Sequence, residues 1–240
     1  MPSGRLPAMH VSELPDKSQD YLKKIYDLQE WGRAGSGEVV GASLSTLAAE
    51  LEQRRSTASE AVKRLVADGL VLHAPYGDIT LSEEGLRLAL QMVRRHRLIE
   101  TYLLQELGYA RDEVHNEAEV LEHAVSDLFI ARIDAVMGHP DRDPHGDPIP
   151  DPQGRVTESV TVPLSGAAVG DRLCVDRVSD RDGALLRYLE DHGVLPGAVI
   201  EVGERPYPDM AALTVVGDDG TTEVQLSAAS LDAVLCRAAE

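Results

Sequence analysis

Four side chains with metal-binding chemistry share one stretch of the sequence. His115, Glu119, Glu122 and His123 are spaced at i, i+4, i+7 and i+8. On a helix, at about 100° per residue, this spacing places all four within a wedge of about 100°. Carboxylate oxygens and imidazole nitrogens on one stripe are suitable ligands for a divalent metal. The pattern therefore predicts a metal site on one face of a helix over residues 115–138.

A second pair of the same type lies in the preceding helical stretch. His96 and Glu100 are four residues apart and share a face of a helix predicted over residues 81–108. A single Glu/His pair at this spacing is more often surface decoration than a ligand pair. Six such residues on two consecutive helices favour metal binding.

A metallohydrolase is a weaker interpretation of these residues. Zinc peptidases of the HExxH type carry a catalytic Glu between two ligands. Here the order is ExxEH, and the HExxH motif does not occur. Because no residue is placed as a general base beside an open metal position, we expect that the protein is not an enzyme.

The elements before these helices follow the order of a winged helix-turn-helix. Apolar spacing predicts helices over residues 18–32, 43–52 and 55–70, with Ser43 as an N-cap, and then a hairpin over residues 70–85. The second and third helices would form the helix-turn-helix, and the hairpin would be the wing.

The start of the third helix carries side chains suited to a DNA contact. Arginine and hydroxyl groups at the start of a recognition helix can bond to phosphates and base edges. The candidate DNA-binding residues are Arg54, Arg55, Ser56, Thr57, Ser59, Glu60 and Lys63. The alternative is a plain helical hairpin with a solvated, mixed-charge surface, and the hairpin that follows favours DNA binding over it.

The charge of this 240-residue chain is unevenly distributed. The formal net charge is -18, which by itself argues against a polyanionic partner. Residues 1–97 are neutral overall, so the whole negative excess lies in residues 98–240. A neutral N-terminal region with locally placed Arg and Lys is compatible with DNA binding.

The compartment follows from what the sequence lacks. It has no apolar run of the roughly 18 residues that a membrane helix needs, and its N-terminus has no signal-peptide core. Cys174 and Cys236 form neither a CxxC motif nor a disulfide framework. We therefore expect a cytoplasmic protein with no membrane partner.

The sequence changes character after residue 138. Residues 138–163 hold six of the 13 prolines, which predicts an ordered turn region and a linker instead of a packed element. From residue 166 onward, short β-rich runs alternate with turns, including a GDDG turn, around a helix near residues 183–193. This pattern predicts a small barrel-like β domain.

Five stretches in order resemble the diphtheria toxin repressor (DtxR) family of metal-dependent transcriptional repressors, and within it the manganese-responsive MntR type. They are QDYLKKIYDLQE, LAAELEQRRSTASEAVKRLVADGLV, VRRHRLIETYL, VHNEAEVLEHAVSD and DPHGDPIP, within residues 19–150. The resemblance implies a mainly α fold with a small β part. We expect a winged helix-turn-helix domain at 1–85, a helical metal-binding and dimerisation domain at 86–152, a linker at 153–165 and an SH3-like (FeoA-type) β-barrel at 166–240.

The resemblance also implies a first metal site at Asp20, Glu119, Glu122 and His123. The iron-responsive type has Met and Cys where this chain has Asp20 and Glu119. Hard oxygen ligands in place of soft sulfur suit Mn²⁺. We therefore expect Mn²⁺ as the cofactor, with Fe²⁺ as the alternative.

An ancillary site is implied at His96, Glu100 and His115, completed by the SH3-like domain. An ungapped alignment places Asp180 where the iron type has Gln, and Arg177 where it has Glu. A carboxylate can coordinate a cation and a guanidinium cannot, so Asp180 is the candidate ligand.

The family pattern implies a homodimer that binds a palindromic double-stranded DNA operator and represses genes of metal homeostasis. Without metal, the like charges of Asp20, Glu119 and Glu122 would resist close approach, and a divalent cation would offset that repulsion. Metal binding would then order the first helix and position two recognition helices. A winged-helix regulator of a small organic ligand, with an incidental Glu/His stripe, is the alternative from another class.

Overall fold

A computed structural model describes residues 9–33, 40–74, 77–157, 159–205, 207, 209–217 and 220–239. The chain forms two compact units, Met1–Arg95 with Pro150–Arg155, and His96–Ile149 with Val156–Glu240. The tip of the predicted hairpin and the centre of the GDDG turn lie outside the described residues. No helix within the described ranges combines the length and apolarity needed to cross a membrane.

The first unit has the predicted order of a winged helix-turn-helix. It contains α1 (Asp16–Gly32), α2 (Leu44–Glu50), α3 (Arg55–Ala67), the antiparallel strands β1 (Val71–His73) and β2 (Ile79–Leu81), and the start of α4 (Glu83–Leu107). Ser43 caps α2 as predicted, since its hydroxyl accepts a hydrogen bond from the Thr46 N–H at 3.0 Å.

The core of this unit joins α1 to the helix-turn-helix. Leu22 and Ile25 of α1, Leu47 of α2 and Leu65 of α3 are almost completely buried. Their helical spacing puts the apolar face of each helix toward the same core, which is the pattern that the sequence predicts. The helix-turn-helix and α1 therefore form one packed unit.

The helix predicted over residues 115–138 is interrupted in the second unit. The structure has α5 over Val114–Leu121 and α6 over Asp127–Val136. Ser126 favours the new start, because its hydroxyl accepts a hydrogen bond from the Phe129 N–H at 3.2 Å and satisfies a donor of the first turn. The prediction of one continuous helix is wrong.

This interruption changes where two candidate ligands lie. Glu122 is the C-cap of α5 and His123 follows it in the turn before α6. The argument from helical spacing therefore applies to His115 and Glu119, which share a face of α5. Glu122 and His123 are positioned by the turn.

The C-terminal part of the second unit is the predicted small β domain. Its six-stranded sheet has the order β3-β8-β4-β5-β6-β7 and a core from the inward faces of its strands. The elements are β3 (Val162–Pro163), β4 (Arg172–Val178), α7 (Gly183–Asp191), β5 (Val199–Val202), β6 (Met210–Gly217), β7 (Gly220–Ser227), α8 (Ala228–Leu231) and β8 (Val234–Ala238). Cys174 and Cys236 are buried and unbridged.

The proline-rich segment forms turns, as predicted, but it is packed. Residues 143–150 are all buried. The Val178 N–H of β4 donates to the His145 carbonyl at 2.9 Å. Gly146 has φ +89°, and a Cβ at this position would lie 2.1 Å from the carbonyl oxygen of Asp176. The expectation of an unpacked segment is wrong here, since backbone contacts with β4 bury it.

Gly146→Ala should therefore lower the free energy of unfolding by about 3 kcal/mol or more, because it adds a backbone clash to left-handed strain. Gly197 is the matched control, since it has φ +92° and nothing within 4 Å of a Cβ. Gly197→Ala should cost only about 1 kcal/mol. Urea denaturation followed by circular dichroism measures both. Equal losses in the two variants would contradict the packing of this segment.

Candidate metal centre

Three structural elements of the second unit bring four of the predicted ligands together. His96 and Glu100 lie on α4, His115 lies on α5, and Asp180 follows β4. One donor atom from each lies within 4.8 Å of the other three. We call these four residues the ancillary cluster.

The distances within the ancillary cluster are those of direct polar contacts. Nδ1 of His115 lies 2.8 Å from Oδ2 of Asp180 and 3.3 Å from Oε1 of Glu100. Nε2 of His96 lies 2.9 Å from the same Glu100 oxygen. The Glu100 side chain is only 1% exposed, so water screens these contacts little.

A second group surrounds the other nitrogen of His96. Its Nδ1 lies 2.6 Å from Oε2 of Glu122, and Glu119 also lies within the distance range of a shared ion. Nε2 of His123 lies 3.5 Å from the other Glu122 oxygen. The structure thus gathers Glu119, Glu122 and His123 despite the break between α5 and α6, and His96 contacts both groups. Asp20 lies on α1 of the first unit.

Two buried residues extend the centre beyond the sequence prediction. Asp143 and His145 of the proline-rich segment lie close enough to Glu100 for all three to hold one ion. The signal was the alternation of Asp and His in DPHGDP, which is visible in the sequence. It was missed as a ligand source because the prolines predict a turn region and give no indication that its side chains are buried.

His145 is suited to metal binding by its hydrogen bonding. Its Nε2 donates to the Arg111 carbonyl oxygen at 3.2 Å, which fixes the tautomer. Its Nδ1 is buried and has no hydrogen-bond partner in the described part of the chain. A buried nitrogen lone pair without a partner is costly unless a cation or proton uses it. The residues present therefore fit a bound divalent metal.

Arg177 compensates buried negative charge and is not a candidate ligand, as the chemistry of a guanidinium predicts. Its guanidinium is buried and forms an ion pair with Asp147. Nη2 of Arg97 lies 3.5 Å from the same Asp147 carboxylate, and Nε of Arg97 lies 3.7 Å from Asp143. Two arginines thus compensate the buried carboxylate of Asp147, and Arg97 also faces Asp143.

The electrostatics of the ancillary cluster in the metal-free protein follow from its geometry. Burial alone would raise the pKa of Glu100 and Asp180, but the imidazoles beside them hold both well below the ordinary range. Burial would lower the pKa of His115, but its hydrogen bonds to Asp180 and Glu100 raise it to about 11. Beside the ancillary cluster, burial and the neighbouring Asp147 and Glu100 raise the pKa of Asp143 to about 8. When no metal is bound, the proton on His115 thus compensates Glu100 and Asp180, and Asp143 holds a proton of its own at neutral pH.

The candidate DNA-binding residues lie at the start of α3, as the sequence predicts. Six are exposed and Ser59 is half-buried; the exposed six are Arg54, Arg55, Ser56, Thr57, Glu60 and Lys63. Nζ of Lys63 lies 2.7 Å from Oε1 of Glu60. An ion pair exposed to solvent is weak, so both side chains can rearrange when they meet a nucleic-acid surface.

Comparisons with known proteins bear on both regions. The N-terminal DNA binding domain of iron dependent repressors matches residues 13–79, and their metal binding and dimerisation domain matches residues 82–151. The FeoA domain matches residues 162–238. The iron-dependent repressor IdeR of Mycobacterium leprae is 32% identical over 209 residues, which cover 82% of this chain and 87% of that protein. The chain belongs to the diphtheria toxin repressor family.

Solved structures agree with this membership in the DtxR family. A manganese-dependent transcriptional repressor in complex with manganese is 43% identical, with a TM-score of 0.85, and the match covers 92% of this chain and 100% of that chain. ScaR with bound Cd²⁺ is 31% identical, with a TM-score of 0.75 and coverage of 92% and 99%. The predicted family and fold are confirmed. The chain is a metal-dependent transcriptional repressor, and its family consists of DNA-binding proteins, not enzymes.

Metal binding by this DtxR-family protein should release at least one proton near pH 7.5, because the protonated His115 must become neutral to coordinate an ion. The pKa of His115 is raised to about 11, so below about pH 11 this histidine holds a proton that competes with the metal. Affinity should therefore rise with pH through the neutral range, by up to about tenfold per unit.

Calorimetric titration with MnCl₂ in two buffers of different protonation enthalpy counts these protons. His115→Gln should release about one proton fewer than the wild type. Equal release from the two proteins would show that His115 does not exchange a proton for the metal.

Proposed function

We propose that this protein is a manganese-dependent repressor of metal-ion homeostasis genes, which binds a palindromic operator as a homodimer when it holds Mn²⁺. The main support is the donor set. Among the described residues, every clustered candidate ligand is a carboxylate or an imidazole. Such hard and borderline donors suit Mn²⁺, whereas thiolate and thioether ligands favour softer metals. The manganese-dependent transcriptional repressor whose structure holds manganese, at 43% identity, supports the same metal.

Fe²⁺ is the second candidate cofactor. The Mycobacterium leprae relative is named an iron-dependent repressor, and it matches most of both chains. Nitrogen and oxygen ligands accept either ion, so selectivity between them depends on geometry and supply.

The proposed DNA operator also supports the expected cytoplasmic location, because the protein must reach the DNA that it binds.

Two metal sites follow from this proposal. The first would use Asp20, Glu119, Glu122 and His123, where Asp20 is carried over from the resemblance. The second would use His96, Glu100, His115 and Asp180, and the contacts within the ancillary cluster support it. We add Asp143 and His145 as candidate ligands beside Glu100, because they are buried there and one His145 nitrogen is unused. The ion would supply the positive charge that protons provide in the metal-free protein.

Exposed apolar side chains on the consecutive helices α5 and α6 support the homodimer. Val120 of α5 and Leu128 and Val136 of α6 are 69%, 67% and 66% exposed. Apolar side chains this accessible, on neighbouring helices, are typical of an interface between proteins. Leu98 and Leu103 of α4, in contrast, are buried in the core of the second unit. A two-fold dimer would present two α3 helices to successive half-sites of a palindrome.

Asp20→Ala should abolish Mn²⁺-dependent DNA binding and leave the fold intact, because it removes the proposed ligand on α1. The probe is a duplex selected from random-sequence DNA by the wild-type protein in MnCl₂, and gel shifts measure binding. Asp16→Ala, an exposed acidic residue of the same helix, is the control and should retain the response. A full Mn²⁺ response from Asp20→Ala would contradict the proposed first site.

Glu119→Cys should move metal preference toward Fe²⁺ or Zn²⁺, because a thiolate replaces a hard oxygen donor. The midpoint metal concentrations for binding the same duplex, measured anaerobically, test this. Glu117→Cys adds a thiol to the same helix, outside the candidate ligand groups, and should keep the wild-type ranking. An unchanged ranking in Glu119→Cys would count against Glu119 as a ligand.

A further inference from the structure

Tyr21 connects α1 with the turn of the helix-turn-helix inside the first unit. Its ring is 1% exposed, and its hydroxyl donates a hydrogen bond to Oε1 of Gln53 at 2.7 Å. Gln53 lies in the turn between α2 and α3. The bond therefore joins two elements that are 32 residues apart in the chain.

Each end of this hydrogen bond is next in sequence to a candidate functional residue, a metal ligand at one end and DNA-binding arginines at the other. Tyr21 directly follows Asp20, the proposed metal ligand, and Gln53 directly precedes Arg54 and Arg55 at the start of α3. A phenol ring held in a packed core is rigid, because it has only two side-chain torsions. A small movement of α1 would thus either break the bond or carry the turn with it.

We propose that Tyr21 is a positioning residue, which passes the metal-dependent placement of α1 to the start of the recognition helix through its hydrogen bond to Gln53. This inference rests on the proposed function and deepens it by naming the contact that couples the metal to DNA. Two distinct arrangements of α1, biased by the metal, would then give two arrangements of the turn.

The hydroxyl has a role that the neighbouring apolar contacts of α1 do not have. Leu22 and Ile25 bury apolar surface, which is favourable over a range of helix positions because that attraction has no direction. A hydrogen bond weakens steeply with distance and angle, so it fixes one register.

Tyr26 gives a matched comparison on the same helix. Its ring is 8% exposed and its hydroxyl donates to Oε1 of Glu30 at 2.9 Å, which is a contact within α1. Tyr21→Phe and Tyr26→Phe therefore each remove one hydroxyl from a buried ring of α1. Only the first change removes the hydrogen bond to the turn.

The test measures binding to the selected duplex with and without MnCl₂, and Mn²⁺ binding alone by calorimetry. In Tyr21→Phe, the gain in DNA affinity caused by Mn²⁺ should fall about fivefold or more, which is in the range of a typical coupling between sites. Mn²⁺ binding without DNA should change less than about twofold. Tyr26→Phe should keep the wild-type gain. If Tyr21→Phe does not fold, Gln53→Ala removes the other partner from a half-buried position and should reduce the same gain.

A Mn²⁺-dependent gain in Tyr21→Phe that equals the wild-type gain would overturn this role. An equal loss of DNA affinity with and without Mn²⁺ would also overturn it, because that result indicates a purely structural contribution. Failure of the proposed function would differ from both, since the wild-type protein itself would then show no Mn²⁺-dependent gain.

Discussion

Compensation of buried negative charge is the constraint on which the second unit depends. Glu100 and Glu122 are almost completely inaccessible to water, and Asp180 joins them beside two histidines. Ionised carboxylates in such a place need a positive partner. In the metal-free protein the imidazoles and their protons are that partner, and the proposed divalent ion would replace them. The same demand explains why Arg177 and Arg97 lie beside Asp147, where guanidinium groups compensate the charge permanently.

The sequence was sufficient for features that depend on local periodicity. Apolar spacing located α1 to α4, and Ser43 was correctly expected to cap α2. The prediction of a single helix over residues 115–138 was wrong, because a capping serine at position 126 starts a new helix although the apolar pattern continues across it. Helical spacing was also sufficient to propose His96, Glu100 and His115 as candidate ligands, and these three residues lie together in the ancillary cluster.

The remaining features of the site depend on tertiary contacts, which local sequence patterns do not predict. Asp143 and His145 lie in a proline-rich segment whose burial comes from backbone contacts with β4, some 30 residues further along the chain. Asp180 was chosen through alignment to a family, and its 2.8 Å contact with His115 depends on how the β domain packs in the second unit. The charge of -18 is informative in the same way: as a total it argues against DNA, whereas its position in residues 98–240 places the acidic excess in the metal-binding and C-terminal regions.

Control of DNA affinity by a hard divalent metal can be tested in one titration of the wild-type protein. Binding to the selected duplex is measured anaerobically against Mn²⁺, Fe²⁺ and Zn²⁺ in turn, with the bound metal counted in each complex. We expect Mn²⁺ to produce tight DNA binding at a free concentration that its cellular supply reaches, with two ions bound per chain, and little DNA binding without metal. Equal DNA affinity with and without metal would contradict it.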